Sequence, residues 1–149
     1  PELKWLFAVN PRSTEEKLRF PKLTTSRIFR VVPTPEHPSE LLDALDLYVM
    51  PSLAEGLGSS ALLAMAHGLP VAASRVGGLP EIVQEGKTGW LFAPGSAPEL
   101  AEVVVRALDN HEELNRLGLN AREHAREFSD DIMASRTEAL YLKLCAGVK

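Results

Sequence analysis

Short apolar runs alternate along the chain with segments in which apolar residues recur at helical spacing. Because the runs are apolar throughout and predicted helices separate them, the pattern indicates a parallel sheet covered by helices on both faces. Right-handed crossovers between the strands then give a doubly wound, Rossmann-like α/β fold. The predicted strands cover residues 3–9, 27–32, 47–50, 71–73 and 88–93.

Helices are predicted between successive strands. Ser39 is the expected N-cap of one of them, and Gly68 followed by Pro70 is a typical end for the next. These helices cover residues 15–20, 39–45, 59–67 (with Ser59 or Ser60 as the first residue) and 81–84.

The last third of the chain has the pattern of consecutive helices. Ser96 and Glu99 match a capping box, and the helix behind them carries one apolar stripe. A second helix is predicted over residues 111–128, and a third begins after Ser129. The stripe consists of Leu100, Val103, Val104, Ala107 and Leu108, and in the third helix Met133, Leu140 and Leu144 are predicted to face inward.

Composition excludes several classes of protein. The chain has 149 residues, 45% of them hydrophobic and 24% charged, as expected for one globular domain over residues 1–149. Its net charge is -4 and no basic face stands out, which argues against nucleic-acid binding.

Cys145 is the only cysteine, so neither a disulfide framework nor a cysteine metal cluster is predicted, and we expect this thiol to be buried or half-buried. No apolar run reaches the roughly 18 residues that span a membrane. No signal peptide is visible. We therefore expect a cytoplasmic protein without a transmembrane segment, and peripheral association with a membrane stays open.

A glycine-rich loop with one acid, Glu55, follows the third predicted strand and opens a helix. Gly56 and Gly58 let the backbone approach a ligand closely, and the helix N-terminus offers unpaired N–H groups to an anion such as a diphosphate. Glu55 would repel that anion and is better suited to accept hydrogen bonds from sugar hydroxyls. Together these features favour a nucleotide sugar. The alternative is an ordinary turn with an exposed acid, because a Gly-x-Gly pattern is a weak signal.

Five motifs follow one another along the chain: DLYVMPS at residues 46–52, EGLG at 55–58, AMAHGLPV at 64–71, VGGLPEIV at 76–83 and GKTGWLFAPG at 86–95. In this order they resemble the carboxyl-terminal, donor-binding domain of the retaining glycosyl transferases group 1, a family that includes sucrose-phosphate synthases and mannosyltransferases. The resemblance implies the GT-B fold, in which two Rossmann-like domains face each other across a cleft and the carboxyl-terminal domain holds the nucleotide sugar.

The resemblance also implies roles for particular residues. Glu55 matches the first of two family glutamates, which contacts hydroxyls of the donor sugar, and we assign it the catalytic slot as a positioning residue. The family is metal-independent and uses no cofactor beyond the nucleotide diphosphate sugar, and an acceptor domain is expected upstream. The donor-binding residues implied in this way are Gly56, Leu57, Gly58, Ser59 and Leu63. The resemblance also implies that Val32 and Pro33 contact the nucleobase of the donor.

Two features depart from the family pattern. Leu63 stands where the second glutamate, which grips the ribose hydroxyls, is expected. The first strand and helix of the domain, with their basic Gly-Arg turn and Lys-Gly helix start, have no counterpart, so we expect a break in the sheet. The sequence thus predicts the donor-binding part of a retaining glycosyltransferase, which we expect to be a portion of a longer enzyme. The alternative is a degenerate, non-catalytic module for structure or interaction.

Overall fold

The computed structural model describes residues 4–9, 28–33 and 35–147, and in this part the chain forms five strands and six α-helices. The predicted helix over residues 15–20 lies outside the described residues. The strands are β1 (Trp5–Val9), β2 (Phe29–Pro33), β3 (Tyr48–Met50), β4 (Val71–Ser74) and β5 (Gly89–Phe92). The helices are α1 (Ser39–Leu42), α2 (Ser59–Ala66), α3 (Leu79–Ile82), α4 (Ala97–Asp109), α5 (His111–Ala125) and α6 (Asp130–Gly147), with a 3-10 turn (Arg126–Phe128) between the last two.

All strand pairs in the described part of the chain are parallel, which confirms the predicted sheet type. β1 pairs with β2, and β4 pairs with β3 on one side and with β5 on the other. The strands therefore form two sheets, and among the described residues no strand pairing joins them.

The chain divides into two compact units, Pro1–Ala44 and Leu45–Lys149. The first contains β1, β2 and α1, and the second contains the other described elements. The assignment of residues 1–149 to one donor-binding domain stays a prediction.

Helix α1 differs from its prediction at both ends. Pro38, not Ser39, occupies the N-cap position, without a side-chain hydrogen bond. The reason is that Pro38 already has helical dihedral angles, with φ fixed near its observed -57° by the ring, so the turn begins one residue earlier. The helix ends at Leu42 instead of residue 45, with Asp43 as its C-cap.

The core of the second unit lies along β4 and β5. Val71, Ala72 and Ala73 are fully buried, and Trp90 packs in a cluster with residues of α4 and α5. The predicted apolar stripe of α4 is confirmed, since Val104 and Ala107 are buried and its other members are half-buried. Helices α2, α4 and α5 contact the strands and so cover this sheet.

The N-terminus of α4 has only half of the predicted capping box. The Ser96 hydroxyl accepts from the Glu99 N–H at 3.4 Å, as expected. The Glu99 carboxylate, however, accepts from the Ala93 N–H at 2.7 Å. The Ser96 N–H, which a complete capping box would pair with this carboxylate, donates to the Ala93 carbonyl instead.

Helix α6 corrects two expectations. Met133, Leu140 and Leu144, which were predicted to face inward, are 61%, 57% and 58% exposed. Cys145, expected to be buried or half-buried, is exposed as well. An apolar stripe identifies a helix face but not the surface that covers it, and in the described residues α6 contacts mainly the preceding 3-10 turn.

Candidate functional site

The predicted ligand loop lies at the carboxyl end of β3. The strand ends at Met50 because Pro51 has no N–H for a further ladder bond. The chain then crosses to α2, which begins at Ser59. In open α/β sheets, ligands bind outside the carboxyl ends of the strands, so the structure places Glu55, Gly56, Leu57, Gly58 and Ser59 where such a fold binds ligands.

The Glu55 side chain is half-buried, and both of its carboxylate oxygens accept a hydrogen bond. The Ser52 hydroxyl donates to Oε2 at 3.4 Å, and the Gly56 N–H donates to Oε1 at 3.2 Å. An ionised carboxylate offers about four lone-pair positions, so two such contacts orient the group and leave capacity for ligand hydroxyls.

Gly58 lets the loop turn into α2. It is the N-cap residue of this helix and has φ 89°, in the left-handed region, and a Cβ at this position would lie 2.5 Å from Leu79 Cδ2. As a glycine it supplies no side-chain acceptor, so the first-turn amides of the helix receive no cap from this position. These amides and the helix dipole suit an anion. Gly56 differs, since a Cβ there would meet nothing within 4 Å.

The turn after β4 contacts the backbone of the Glu55 loop. This contact was not predicted from the sequence. A Cβ on Gly77 (φ 53°) would lie 1.8 Å from the Glu55 carbonyl oxygen, and the Gly78 N–H donates to the Gly56 carbonyl at 2.6 Å. The sequence identified Gly77 and Gly78 only as part of the motif VGGLPEIV at residues 76–83. The motif contained the signal, because two consecutive glycines often mark a close approach of backbone to backbone.

Ser74 is a second residue that sequence reasoning missed. It ends β4, is fully buried, and donates its hydroxyl proton towards the carbonyls of Ser52 and Met50. It therefore joins the exit of β3 to the end of β4 beside the loop.

Leu63 shares a face of α2 with Ser59, and both line a groove of about 590 Å³. The other wall of this groove is formed by residues from the end of α5 to the start of α6. The Leu63 side chain is 39% exposed. The groove also contains Arg122 and Arg126, whereas Glu55 is not one of its lining residues. His67, one turn further along, is the exposed C-cap of the helix.

Val32 and Pro33 lie at the carboxyl end of β2, in the first compact unit. Val32 is half-buried. Their assignment to the nucleotide base stays a prediction.

Neither a metal-binding cluster nor a membrane-spanning helix occurs among the described residues. Residues 4–9, 28–33 and 35–147 contain no group of three or more His, Cys, Asp or Glu side chains that could hold a metal ion. Over the same ranges, no helix is both long and apolar enough to cross a bilayer.

The parallel sheets with covering helices and a glycine-rich loop at a strand end define a Rossmann-like α/β protein. The family model described as "Glycosyl transferases group 1" matches residues 23–124. Since this is more than half of the sequence, the chain belongs to that family.

Named relatives agree with this assignment. The chain is 38% identical to the MMP alpha-(1->4)-mannosyltransferase of Mycolicibacterium hassiacum over 99% of its own length and 36% of that protein. Among solved structures, sucrose-phosphate synthase from Thermosynechococcus elongatus superposes with a TM-score of 0.80 at 28% identity, over 97% of this chain and 39% of the other. Anabaena HepE, solved in complex with UDP-glucose, has a TM-score of 0.73 at 25% identity, over 87% of this chain and 36% of the other.

The chain thus spans little more than a third of the length of these proteins. The neighbours confirm the predicted GT-B-like fold for the portion they cover.

Proposed function

We propose that this chain is the donor-binding part of a retaining glycosyltransferase. Such an enzyme transfers a sugar from a nucleotide diphosphate sugar to an acceptor hydroxyl. We further propose that it works in the cytoplasm, needs no metal ion or cofactor, and acts together with an acceptor domain upstream.

The observation that carries the proposal is the arrangement of the loop between β3 and α2. An oriented carboxylate, Glu55, lies four residues before a helix whose first-turn amides receive no cap from Gly58. A diphosphate next to a sugar presents anionic oxygens beside hydroxyls, so it needs N–H donors and an acceptor in close sequence. The open space over Gly56 leaves room for the ligand to approach the backbone.

These groups divide the work of transfer between them. The first-turn amides of α2 would stabilise the negative charge that develops on the diphosphate as it leaves. Glu55 would accept from the sugar hydroxyls and so hold the reacting carbon in one orientation. We assign Glu55 as a positioning residue, because Ser52 and Gly56 orient its carboxylate and leave lone pairs for the sugar hydroxyls.

The known complex of HepE with UDP-glucose supports UDP-glucose as the first donor to test. Calorimetric titration of this chain with UDP, UDP-glucose, GDP and GDP-mannose, in buffer with EDTA, should give saturable binding for at least one pair. Binding that requires added divalent metal would contradict metal independence.

Replacing Glu55 should weaken the sugar contact specifically. We expect Glu55→Ala to reduce affinity for the nucleotide sugar about 10- to 100-fold, since it removes hydrogen bonds to a charged acceptor. Affinity for the nucleotide diphosphate alone should stay nearly unchanged, because Glu55 would repel rather than bind it. In the longer enzyme the same variant should abolish transfer.

The exposed Glu102 provides a matched control, since Glu102→Ala removes an acid of the same size from α4. This control should leave both affinities unchanged. If Glu55→Ala weakened nucleotide and nucleotide-sugar binding equally, Glu55 would maintain the conformation of the loop and would not contact the sugar.

Leu63 favours the second candidate, a degenerate module for structure or interaction. Leucine cannot accept the ribose hydroxyls that the family glutamate binds, and its side chain is 39% exposed beside Ser59. Flat titrations with all four ligands would support this candidate. A gain of binding in Leu63→Glu would instead show that the donor site survives without its ribose contact.

A further inference from the structure

We propose that Ser74 is a positioning residue for the donor loop: its buried hydroxyl fixes the backbone at Ser52 and thereby orients the Glu55 carboxylate. This inference rests on the proposed function for its meaning in sugar transfer. The placement of the loop itself can be tested without a donor.

The first observation is where Ser74 lies. The last paired residues of β3 and β4 are Met50 and Ala73, and Pro51 then ends the ladder. Ser74 follows directly, with its side chain fully buried, and its hydroxyl points to the Met50 carbonyl at 3.4 Å and, more closely, to the Ser52 carbonyl. The side chain thus continues the connection between the two strands beyond the last backbone pair.

Ser52 transmits this contact to the acid. Its carbonyl accepts from Ser74, and its hydroxyl donates to Glu55 Oε2 at 3.4 Å. Fixing the carbonyl restricts the peptide on its carboxyl side, and therefore the direction in which the chain carries Glu55. One residue thus joins the end of β4 to the carboxylate.

A second contact from the same segment holds the other part of the loop. The Gly78 N–H donates to the Gly56 carbonyl at 2.6 Å, four residues after Ser74. The Gly56 N–H in turn donates to Glu55 Oε1. Each oxygen of Glu55 therefore accepts a hydrogen bond from a residue whose carbonyl accepts from Ser74 or Gly78.

The chemistry requires a hydroxyl at this position. The Ser52 carbonyl is only partly buried, so its present direction depends on a donor. Alanine, the residue at positions 72 and 73 of the same strand, would fit the space of Ser74 but donate nothing. Without this donor the Ser52 carbonyl can turn towards water, and the loop loses the restraint that orients Glu55.

The test compares Ser74→Ala with a control that removes a different buried hydroxyl from the same sheet region. Thr88 is 2% exposed, and its hydroxyl accepts from the Gln84 N–H at 2.9 Å, before β5 and outside the Glu55 loop. Thr88→Val deletes that contact at nearly constant volume. Circular dichroism confirms that each variant is folded before the comparison.

Hydrogen exchange without ligand gives the first readout. We expect Ser74→Ala to accelerate amide exchange over residues 53–59 about tenfold, as for the loss of one hydrogen bond, while Thr88→Val leaves these residues unchanged. Unchanged exchange in a folded Ser74→Ala variant overturns the proposal. Equal acceleration in both variants also overturns it, because the effect would then be one of general stability.

Donor binding gives the second readout and separates this inference from the proposed function. Ser74→Ala should weaken binding of UDP-glucose about tenfold, and the loss should be smaller in a Ser52→Ala background, because both act through Glu55. Additive losses would overturn the route through Ser52. If the unaltered chain binds no nucleotide sugar, the proposed function fails, and the exchange experiment alone decides the role of Ser74.

Discussion

At the scale of single residues, close approach of backbone to backbone shapes the candidate site at Gly77. Gly77 has φ 53°, and a Cβ there would lie 1.8 Å from the Glu55 carbonyl oxygen. Gly86 also has a left-handed conformation, with φ 70°, but a Cβ there would meet nothing within 4 Å. Alanine at position 86 would therefore test only the strain of the left-handed conformation, whereas alanine at position 77 would add a steric clash with the Glu55 carbonyl.

We expect Gly86→Ala to lower the free energy of unfolding by about 1–2 kcal/mol, the strain of a left-handed residue with a Cβ. Gly77→Ala should cost at least about 1–3 kcal/mol more, because the methyl group displaces the Glu55 loop. Urea denaturation of both variants measures the difference. Equal losses would mean that the contact between Gly77 and Glu55 does not constrain the loop.

How far the sequence predicts the site depends on whether a contact is local. Glu55, Gly56 and Gly58 were identified because a strand, an acid, two glycines and a helix start follow one another along the chain. Ser74 was not identified, because its role depends on the pairing of Met50 with Ala73, which places it beside a loop more than twenty positions earlier. The order of residues along the chain does not show which residue of β3 pairs with which residue of β4.

At the scale of elements, α5 packs against the turn that joins α2 to β4 through another glycine. Gly118 is buried in α5, and a Cβ there would lie 2.2 Å from the Gly68 carbonyl oxygen. The same periodicity that predicted α5 gave no reason for a glycine in its middle. Its reason lies in the neighbouring element, as does the exposed apolar face of α6, for which the helix pattern was right and the predicted burial was wrong.

The sign of the stability change in Gly118→Ala tests this contact. Helix propensity alone predicts stabilisation by about 1 kcal/mol, whereas the collision with Gly68 predicts destabilisation by about 1–3 kcal/mol. We expect destabilisation, measured as a lower midpoint of urea denaturation at constant slope. Asn115→Ala, at an exposed position of the same helix, should be neutral or slightly stabilising. A more stable Gly118→Ala variant would contradict the close packing.

At the scale of the whole molecule, the chain consists of two compact units with separate parallel sheets in its described part. The cluster around Trp90 draws all its members from the second unit: Trp90, Ala107, Leu114 and Leu117, with Leu47 and Val103 at its margin. Both the Glu55 loop and the residues that hold it also belong to this unit.

A fragment of residues 45–149 should therefore fold without the first unit. We expect cooperative thermal unfolding with a loss of no more than about 1 kcal/mol, which corresponds to a shift of about 4–8 °C in Tm for a domain of this size. Thermal melting followed by circular dichroism measures the midpoint. A fragment without a cooperative transition would show that the second unit depends on residues 1–44.

The burial of Trp90 has an optical consequence. Its ring is 1% exposed, the Arg106 guanidinium lies 5.9 Å from the ring centroid, and in the described residues its indole Nε1 has no hydrogen-bond partner. An indole shielded from water emits at shorter wavelength than a hydrated one. The other tryptophan, Trp5, is half-buried and belongs to the first unit. With Trp5 replaced by phenylalanine, the wavelength of the tryptophan fluorescence maximum would report the folding of residues 45–149 alone.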